Sequence, residues 1–457
     1  MRNSISLGLA SICVFLFAGL IGCTVGPDYE PPQVDAPESF RGASQGRPTP
    51  GRWWESFGDV TLNKLITQAT QVSPDIDRAL ARLDQAQARA GGERAELLPE
   101  IGYFVDAVRD RRGGAESQTL RAGGSVLSWE LDAWGRLRRL DRAAQRDLEA
   151  AAAALQGAVL LLQTSVADTY FALRGLDASI AVLSSTVDGR EERRQLIELR
   201  AETGLANDLE AAQARTEWAT ALASLESLRR QRVLTENALS ALLSAPTEQR
   251  FFPADQSWEV RQPSLPSGLP SELLLRRPDL REAERLLAAS SELVGARLAE
   301  FFPRLTLRGE AGGSASQIAD WFRSAGLLGL IESNLAGPLF DGGRISSRVQ
   351  EARAVFRELS ASYLAQVQTA FREVEDGLAE VEFFQKELRA QEIAAEAANR
   401  AASLARDRFD SGLVNFLEVV DTERTALETS LRLVEVRASL NRARVSLIRS
   451  LGGGPTR

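Results

Sequence analysis

The 457-residue chain has no histidine, and its one methionine is the initiator. The commonest general acid–base and the commonest metal ligand are therefore missing. Soft-metal sites built on methionine are excluded as well. The two cysteines, Cys13 and Cys23, both lie close to the N-terminus, so no disulfide framework or CxxC site can form. Aromatic residues make up 6% of the chain, few for a set of compact cores. Ala, Leu, Arg and Glu fill long stretches instead, the composition of extended helices and coiled coils. With 54 basic and 62 acidic residues the net charge is −8, which gives no basic surface for nucleic acid. The paired carboxylates Glu373 and Asp376 fall on a long helical stretch with no sign of a pocket. The Gly342-Gly343 and Gly452-Gly453-Gly454 runs lack the context of a phosphate loop. No catalytic, cofactor-binding or metal residue is expected, and the chain does not read as an enzyme.

What is present begins with Arg2 and an apolar run from Ile5 to Ile21. Residues 1–22 read as a secretory signal, too short to be a convincing membrane span. The run ends in Leu20-Ile21-Gly22-Cys23, which resembles a lipobox. Cys23 is then the acylated first residue of the mature chain, carrying palmitate-type chains that contribute about 0.8 kcal/mol per buried CH₂. Thr24, where an aspartate would favour retention at the inner membrane, implies sorting to the outer one. Residues 23–60, with Gly26, Pro27, Pro31, Pro32 and Pro37, read as an extended leader.

The rest of the chain is duplicated. Pro74-Asp75 recurs as Pro278-Asp279, and Leu98-Pro99 as Phe302-Pro303, both displaced by 204 residues. Gly135-Arg136 recurs as Gly343-Arg344, and Gly204-Leu205-Ala206-Asn207 as Gly412-Leu413-Val414-Asn415, both displaced by 208. Repeat 1 spans 61–246 and repeat 2 spans 277–451, with a Pro-rich linker at 247–276 and a tail at 452–457. Each repeat opens with a helix, at about 62–96 and 279–300. Two strands follow. In repeat 1 they are 101–108 and 120–131, around a loop at Arg111-Arg112-Gly113-Gly114. In repeat 2 they are 304–311 and about 327–340, around Gly312-Gly313-Ser314. After the Gly-Arg turn each repeat becomes a long helical hairpin. The first arm, from about Leu137 to Thr203, would be on the order of 100 Å long at 1.5 Å per residue.

That arm carries a seam stepping by four and three: Ala144, Leu148, Ala151, Leu155, Ala158, Leu162, Ser165, Thr169, Ala172, Leu176. A second apolar line, Val159, Val166, Leu173 and Ile180, suits helices packed on both sides in a closed wall. Four strands cannot close a membrane barrel, and open edges in lipid would leave backbone groups unpaired. The chain must therefore oligomerise. Three copies give twelve strands, a bore wide enough for water.

These features together resemble the TolC/OprM-type outer-membrane factors, in particular the NodT-family efflux lipoproteins. The matching segments run from Cys23-Thr24-Val25-Gly26-Pro27-Asp28-Tyr29 through Trp53-Trp54 and Phe57 to Ser128-Trp129-Glu130-Leu131-Asp132. They continue with Leu274-Leu275-Arg276-Arg277-Pro278-Asp279 and Pro338-Leu339-Phe340-Asp341-Gly342-Gly343-Arg344. The resemblance implies an α+β membrane protein. Four strands per chain enter a twelve-stranded trimeric outer-membrane β-barrel, and long helical hairpins form a periplasmic α-barrel. It implies a homotrimer working with a periplasmic membrane-fusion adaptor and an inner-membrane RND transporter as the exit duct of a tripartite efflux system.

It also implies an iris-like closure of the periplasmic tip. Asp421 and Glu418 match the family's lumen-facing acids, and Arg424 and Leu417 match residues that close the tip. Phe409 stands where the family usually has tyrosine. In repeat 1 the equivalents of Glu418 and Asp421 are Glu210 and Gln213. The alternative is a structural or adhesive trimeric coiled-coil surface lipoprotein, which would need no membrane strands.

Overall fold

The computed structural model describes residues 24–35, 40, 51–108, 111–112, 115–116, 120–205, 207–246, 276–315 and 328–453. The signal segment, Cys23 and nearly all of the 247–276 linker lie outside the described residues.

After a short 3₁₀ turn at Trp53–Phe57, helices α1 (Val60–Val72) and α2 (Pro74–Ala95) replace the single helix expected at 62–96. The reason is Pro74. It cannot donate an intrahelical bond and it pushes its predecessor out of helical geometry. Ser73 is accordingly extended, at φ −78° and ψ 119°. Strands β1 (Glu100–Val108) and β4 (Leu120–Leu131) flank a two-residue ladder of β2 (Arg111–Arg112) and β3 (Ala115–Glu116). The expected loop is therefore partly strand. Helices α3 (Arg136–Glu202) and α4 (Asp208–Leu242) complete repeat 1. Repeat 2 contributes α5 (Pro278–Ala299), β5 (Arg304–Ala315), β6 (Leu328–Ala336), α6 (Arg344–Asp410) and α7 (Phe416–Ser450). The two hairpins match in length: α3 and α6 have 67 residues each, α4 and α7 have 35 each.

Two strand boundaries differ from expectation. Gly312-Gly313-Ser314 is strand rather than loop, because β5 pairs on through Gly312↔Gly124 and Gly313↔Gly123. A β-carbon on Gly124 would lie 2.3 Å from the Ala311 carbonyl oxygen and 2.6 Å from the Gly312 Cα. Glycine here permits a close strand contact that any side chain would block. At the other boundary, β6 stops at Ala336, short of Pro338.

The chain divides into two units. The first is built, as far as described, from Met1–Val34, Leu80–Ala154 and Asp279–Gln366. It holds an antiparallel sheet in the order β1-β4-β5-β6. The leader is seated in this unit. The Val25 N–H donates to the Trp134 carbonyl (3.0 Å), and Thr24 lies against Gly135, whose φ is +81°. Arg139, 1% exposed at its side chain, donates to Glu292 (2.7 Å) and to the Gly26 carbonyl (3.1 Å). Its path is open because Gly295 has no side chain. A β-carbon there would meet the guanidinium at 2.8 Å.

The second unit comprises Asp35–Ala79, Leu155–Pro278 and Val367–Arg457, as far as described. Its largest core packs Trp53, Trp54 and Phe57 with Leu62 and Ile66 of α1. Against them lie Val166, Phe171 and Leu173 of α3, Leu239 of α4, and Ile448 of α7. The Tyr170 hydroxyl donates to Asp59, which also caps α1 by accepting from the Thr61 and Leu62 amides. Burial and this carboxylate raise the Tyr170 pKa well above the usual phenol range. The α3 seams differ from expectation in depth. The second line is the better covered, with Val166 and Leu173 buried. On the first line Leu162 alone is buried and the rest are half-buried.

Three substitutions test this packing. Gly124→Val should lower stability by about 1–3 kcal/mol through overpacking, while Gly92→Val, where no atom lies within 4 Å of a new β-carbon, should move the thermal midpoint far less. Glu292→Ala removes the nearer of two carboxylates paired with a buried guanidinium, the other being Asp28 at 3.5 Å, and should cost about 3 kcal/mol, read as a lower midpoint in denaturant.

Candidate functional site

The expected closure residues lie at the hairpin turns, which the two repeats build alike. Gly204 and Gly412 adopt φ of +73° and +72°, the left-handed conformation that ends α3 and α6. Asn207 and Asn415 then cap the return helices, their side chains accepting from the amides of Glu210 and Glu418 at 2.9 and 3.1 Å. Glycine and asparagine thus set the turn and the start of α7.

The first three turns of α7 have two faces. Phe416, Val419, Val420 and Ala426 are buried. Leu417, Glu418, Asp421 and Arg424 are exposed, one and four or three residues apart, and so form one stripe. The structure thus brings all four expected residues together. Glu418 pairs with Arg408 across the turn (3.3 Å). Among the described residues, Asp421 and Arg424 have no ion-pair partner. In repeat 1 the equivalent Glu210 and Gln213 are both half-buried, so the bare charged stripe belongs to repeat 2. Phe409 is not part of it. Its ring packs against Phe416 (centroids 5.7 Å apart) and under the Arg200 guanidinium (5.9 Å).

Beneath the stripe is a charged cluster that the sequence reading missed. Glu423 accepts from Arg193 of α3 (3.1 Å) and Arg406 of α6 (3.4 Å). Arg190 of α3 pairs with Glu217 of α4 (2.9 Å) and donates to its carbonyl. Arg190, Arg193, Glu217 and Glu423, with Phe416, Val420 and Ala214, line one small cavity. The signal was in the seams. Glu423 continues the buried line of Phe416, Val419 and Val420, and Arg190 continues Leu183 and Val187. A charge at a seam position must be paired. Close by, Arg194 bridges Glu191 and Glu198, and Arg215 of α4 also reaches Glu198 (2.8 Å). Hydrogen bonds from Arg194 and Gln195 hold the Glu191 carboxyl down to about 2. The tip is therefore tied by charge pairs. Among the described residues, no group of His, Cys, Asp or Glu could hold a metal.

The "Outer membrane efflux protein" family model matches residues 65–245 and again 269–453. The chain is 34% identical to the pyoverdine export outer membrane protein OpmQ of Pseudomonas putida, over 88% of each chain. It is 32% identical to the toluene efflux pump outer membrane protein TtgF of the same species, over 97% of this chain and 96% of that one. The solved outer-membrane channel OprN superposes with a TM-score of 0.88 at 31% identity, covering 94% of this chain and 99% of that one. The chain thus belongs to the outer membrane efflux protein family: it is the outer-membrane exit duct of a tripartite efflux system, a homotrimer that works with a periplasmic adaptor and an inner-membrane RND transporter.

Proposed function

We propose that the stripe Leu417, Glu418, Asp421 and Arg424 closes the periplasmic end of the duct. The observation that carries this reading is the exposed pair of opposite charges, Asp421 and Arg424, without ion-pair partners among the described residues of the chain. Two such groups on one helix face are satisfied by water when the tip is open, and by neighbouring copies when it is shut. Three Asp421 carboxylates around a threefold axis form a negative ring that favours cations. Glu418 is held by Arg408 and steadies the turn. The Glu423 cluster below keeps α3, α6 and α7 in register while the stripe moves. The duct itself performs no catalytic step. Relatives named for pyoverdine export and for toluene efflux share this chain's architecture, so cargo choice rests with the pump and adaptor.

The N-terminus carries a second assignment. Cys23 lies outside the described residues, but Thr24 and Val25 are fixed on the turn at Trp134-Gly135. An acyl group on Cys23 would leave the chain beside the end of β4, where the barrel meets the helices. The lipid then supplements a barrel that already holds the protein in the membrane.

Asp421→Ala should weaken cation preference and raise resting conductance in planar bilayers. Unchanged selectivity and unchanged closure would remove Asp421 from the gate. Cys23→Ser should abolish incorporation of radiolabelled fatty acid while the protein still fractionates with the outer membrane. Labelling that persists in this variant would rule out Cys23 as the acylated residue.

A further inference from the structure

The two Gly-Arg turns, at Gly135-Arg136 and Gly343-Arg344, hold equivalent places: each follows a strand and opens a 67-residue helix. What surrounds them differs. At the first turn Trp134 stacks on Phe302 (centroids 4.8 Å) and donates its indole N–H to the Pro303 carbonyl (2.8 Å). Thr24 of the leader lies against Gly135. Arg136 is neutralised by Glu130, donating to both carboxylate oxygens at 2.9 Å. That corner is filled, and its charges are paired.

A displacement of 208 leads from these residues to the second turn, where each filling group is gone. Gly342 stands in the place of Trp134, and Pro338 in the place of Glu130. A β-carbon on Gly342 or Gly343 would meet nothing within 4 Å. Phe340 stands in the place of Asp132, whose carboxylate accepts from the Leu137 and Arg138 amides at the first turn. Asp341 takes over that cap, accepting from the Gly343 (2.9 Å) and Ile345 (2.8 Å) amides, and so is engaged with backbone. Arg348, one turn along α6, is held by Glu300 (3.2 Å). Arg344 is exposed and has no ion-pair partner among the described residues. Beside it Leu339 and Phe340 are 105% and 92% exposed. The second corner thus joins a bare guanidinium to two bare apolar side chains.

The sheet shows where this corner lies. Over residues 125–131, 305–311 and 329–335 one face carries no charge, and its last row pairs Leu131, Leu305 and Leu335. The other face carries Glu130, Arg308, Glu310 and Glu332. In a barrel wall the uncharged face meets hydrocarbon and the charged face lines the bore. Leu339 follows Leu335 by four residues, and Arg344 opens a periplasmic helix. The second corner therefore sits at the headgroup level of the periplasmic leaflet.

We propose that the corner at Leu339, Phe340 and Arg344 binds a phospholipid of the periplasmic leaflet, with its phosphate on the Arg344 guanidinium and its acyl chains along Leu339, Phe340 and the uncharged sheet face. The site is independent of the stripe at the helical tip. A guanidinium presents forked donors that match a phosphate. In that leaflet a phospholipid offers an anion and a long apolar body together, which is the pairing the corner presents. A headgroup of net negative charge is preferred, because a headgroup cation would be repelled by Arg344. Three copies give three such sites, alternating with the three corners that the chain fills with its own leader.

Native mass spectrometry of the full-length trimer, titrated in mild detergent with phosphatidylglycerol or phosphatidylcholine, tests the site. The trimer should take up to three phosphatidylglycerols and bind phosphatidylcholine more weakly. Arg344→Glu should weaken phosphatidylglycerol binding by about tenfold or more, the loss expected when a charge-assisted contact is removed. Arg344→Lys should keep most of it. Pro338→Glu restores beside Arg344 the carboxylate that closes the first corner, and should weaken lipid binding while Arg344 stays in place. Excess inorganic phosphate should leave the lipid bound; displacement by phosphate would reduce the corner to a plain anion site and overturn the lipid assignment. Equal binding by the unaltered protein, Arg344→Glu and Pro338→Glu would also overturn it. So would an unaltered trimer that holds no phospholipid, with Leu339 and Phe340 then covered by the neighbouring copy. Should Arg344→Glu fail to assemble, Pro338→Glu decides alone.

Discussion

The backbone of a strand edge cannot remain unpaired in lipid, and this constraint governs the rest of the molecule. Water competes for unpaired N–H and C=O groups in a soluble sheet; hydrocarbon offers nothing. A sheet of four strands with two free edges, β1 and β6, is therefore an unfinished object. Homotrimerisation finishes it. The glycines within the strands follow from the same demand, since the approach of Gly124 to Gly312 leaves no room for a side chain.

Away from the sheet the problem is reversed. The helical hairpins satisfy their own backbones, so their pairing must be specified by side chains. Apolar seams do most of this, and the buried Arg190 with the half-buried Arg193 and Glu423 do the remainder near the turns. An ion pair in a seam adds little net stability, because desolvating the charges offsets most of their attraction. It is, however, intolerant of slippage. A seam of alanine and leucine can shift by a turn at small cost, whereas a glutamate shared by arginines of two helices cannot.

Much of this was legible in the sequence because the duplication supplies an internal control. Proline and glycine anchors recurring at fixed displacement located strands and turns, and Gly204, Gly412, Asn207 and Asn415 fall where their chemistry required. What was not legible depended on partners distant in the chain. Gly312-Gly313-Ser314 has loop composition and is strand only because β4 brings glycines opposite it. Val166 and Leu173 outrank the more regular heptad seam because the Trp53-Trp54-Phe57 turn covers them, a contact that helical periodicity cannot reveal. Glu423 has the look of a surface charge until its place in line with Phe416 and Val420 is counted.

The seat of the leader has a further consequence. Thr24 rests on the Gly135 turn, whereas the equivalent Gly343 has open space around it. One chain has one N-terminus and two turns, so half of the turns are capped and half are bare. The duplication gives the assembly six near-identical hairpins, and the leader divides them into two alternating kinds. At the end of the helices nearest the sheet, the assembly therefore has threefold rather than sixfold symmetry.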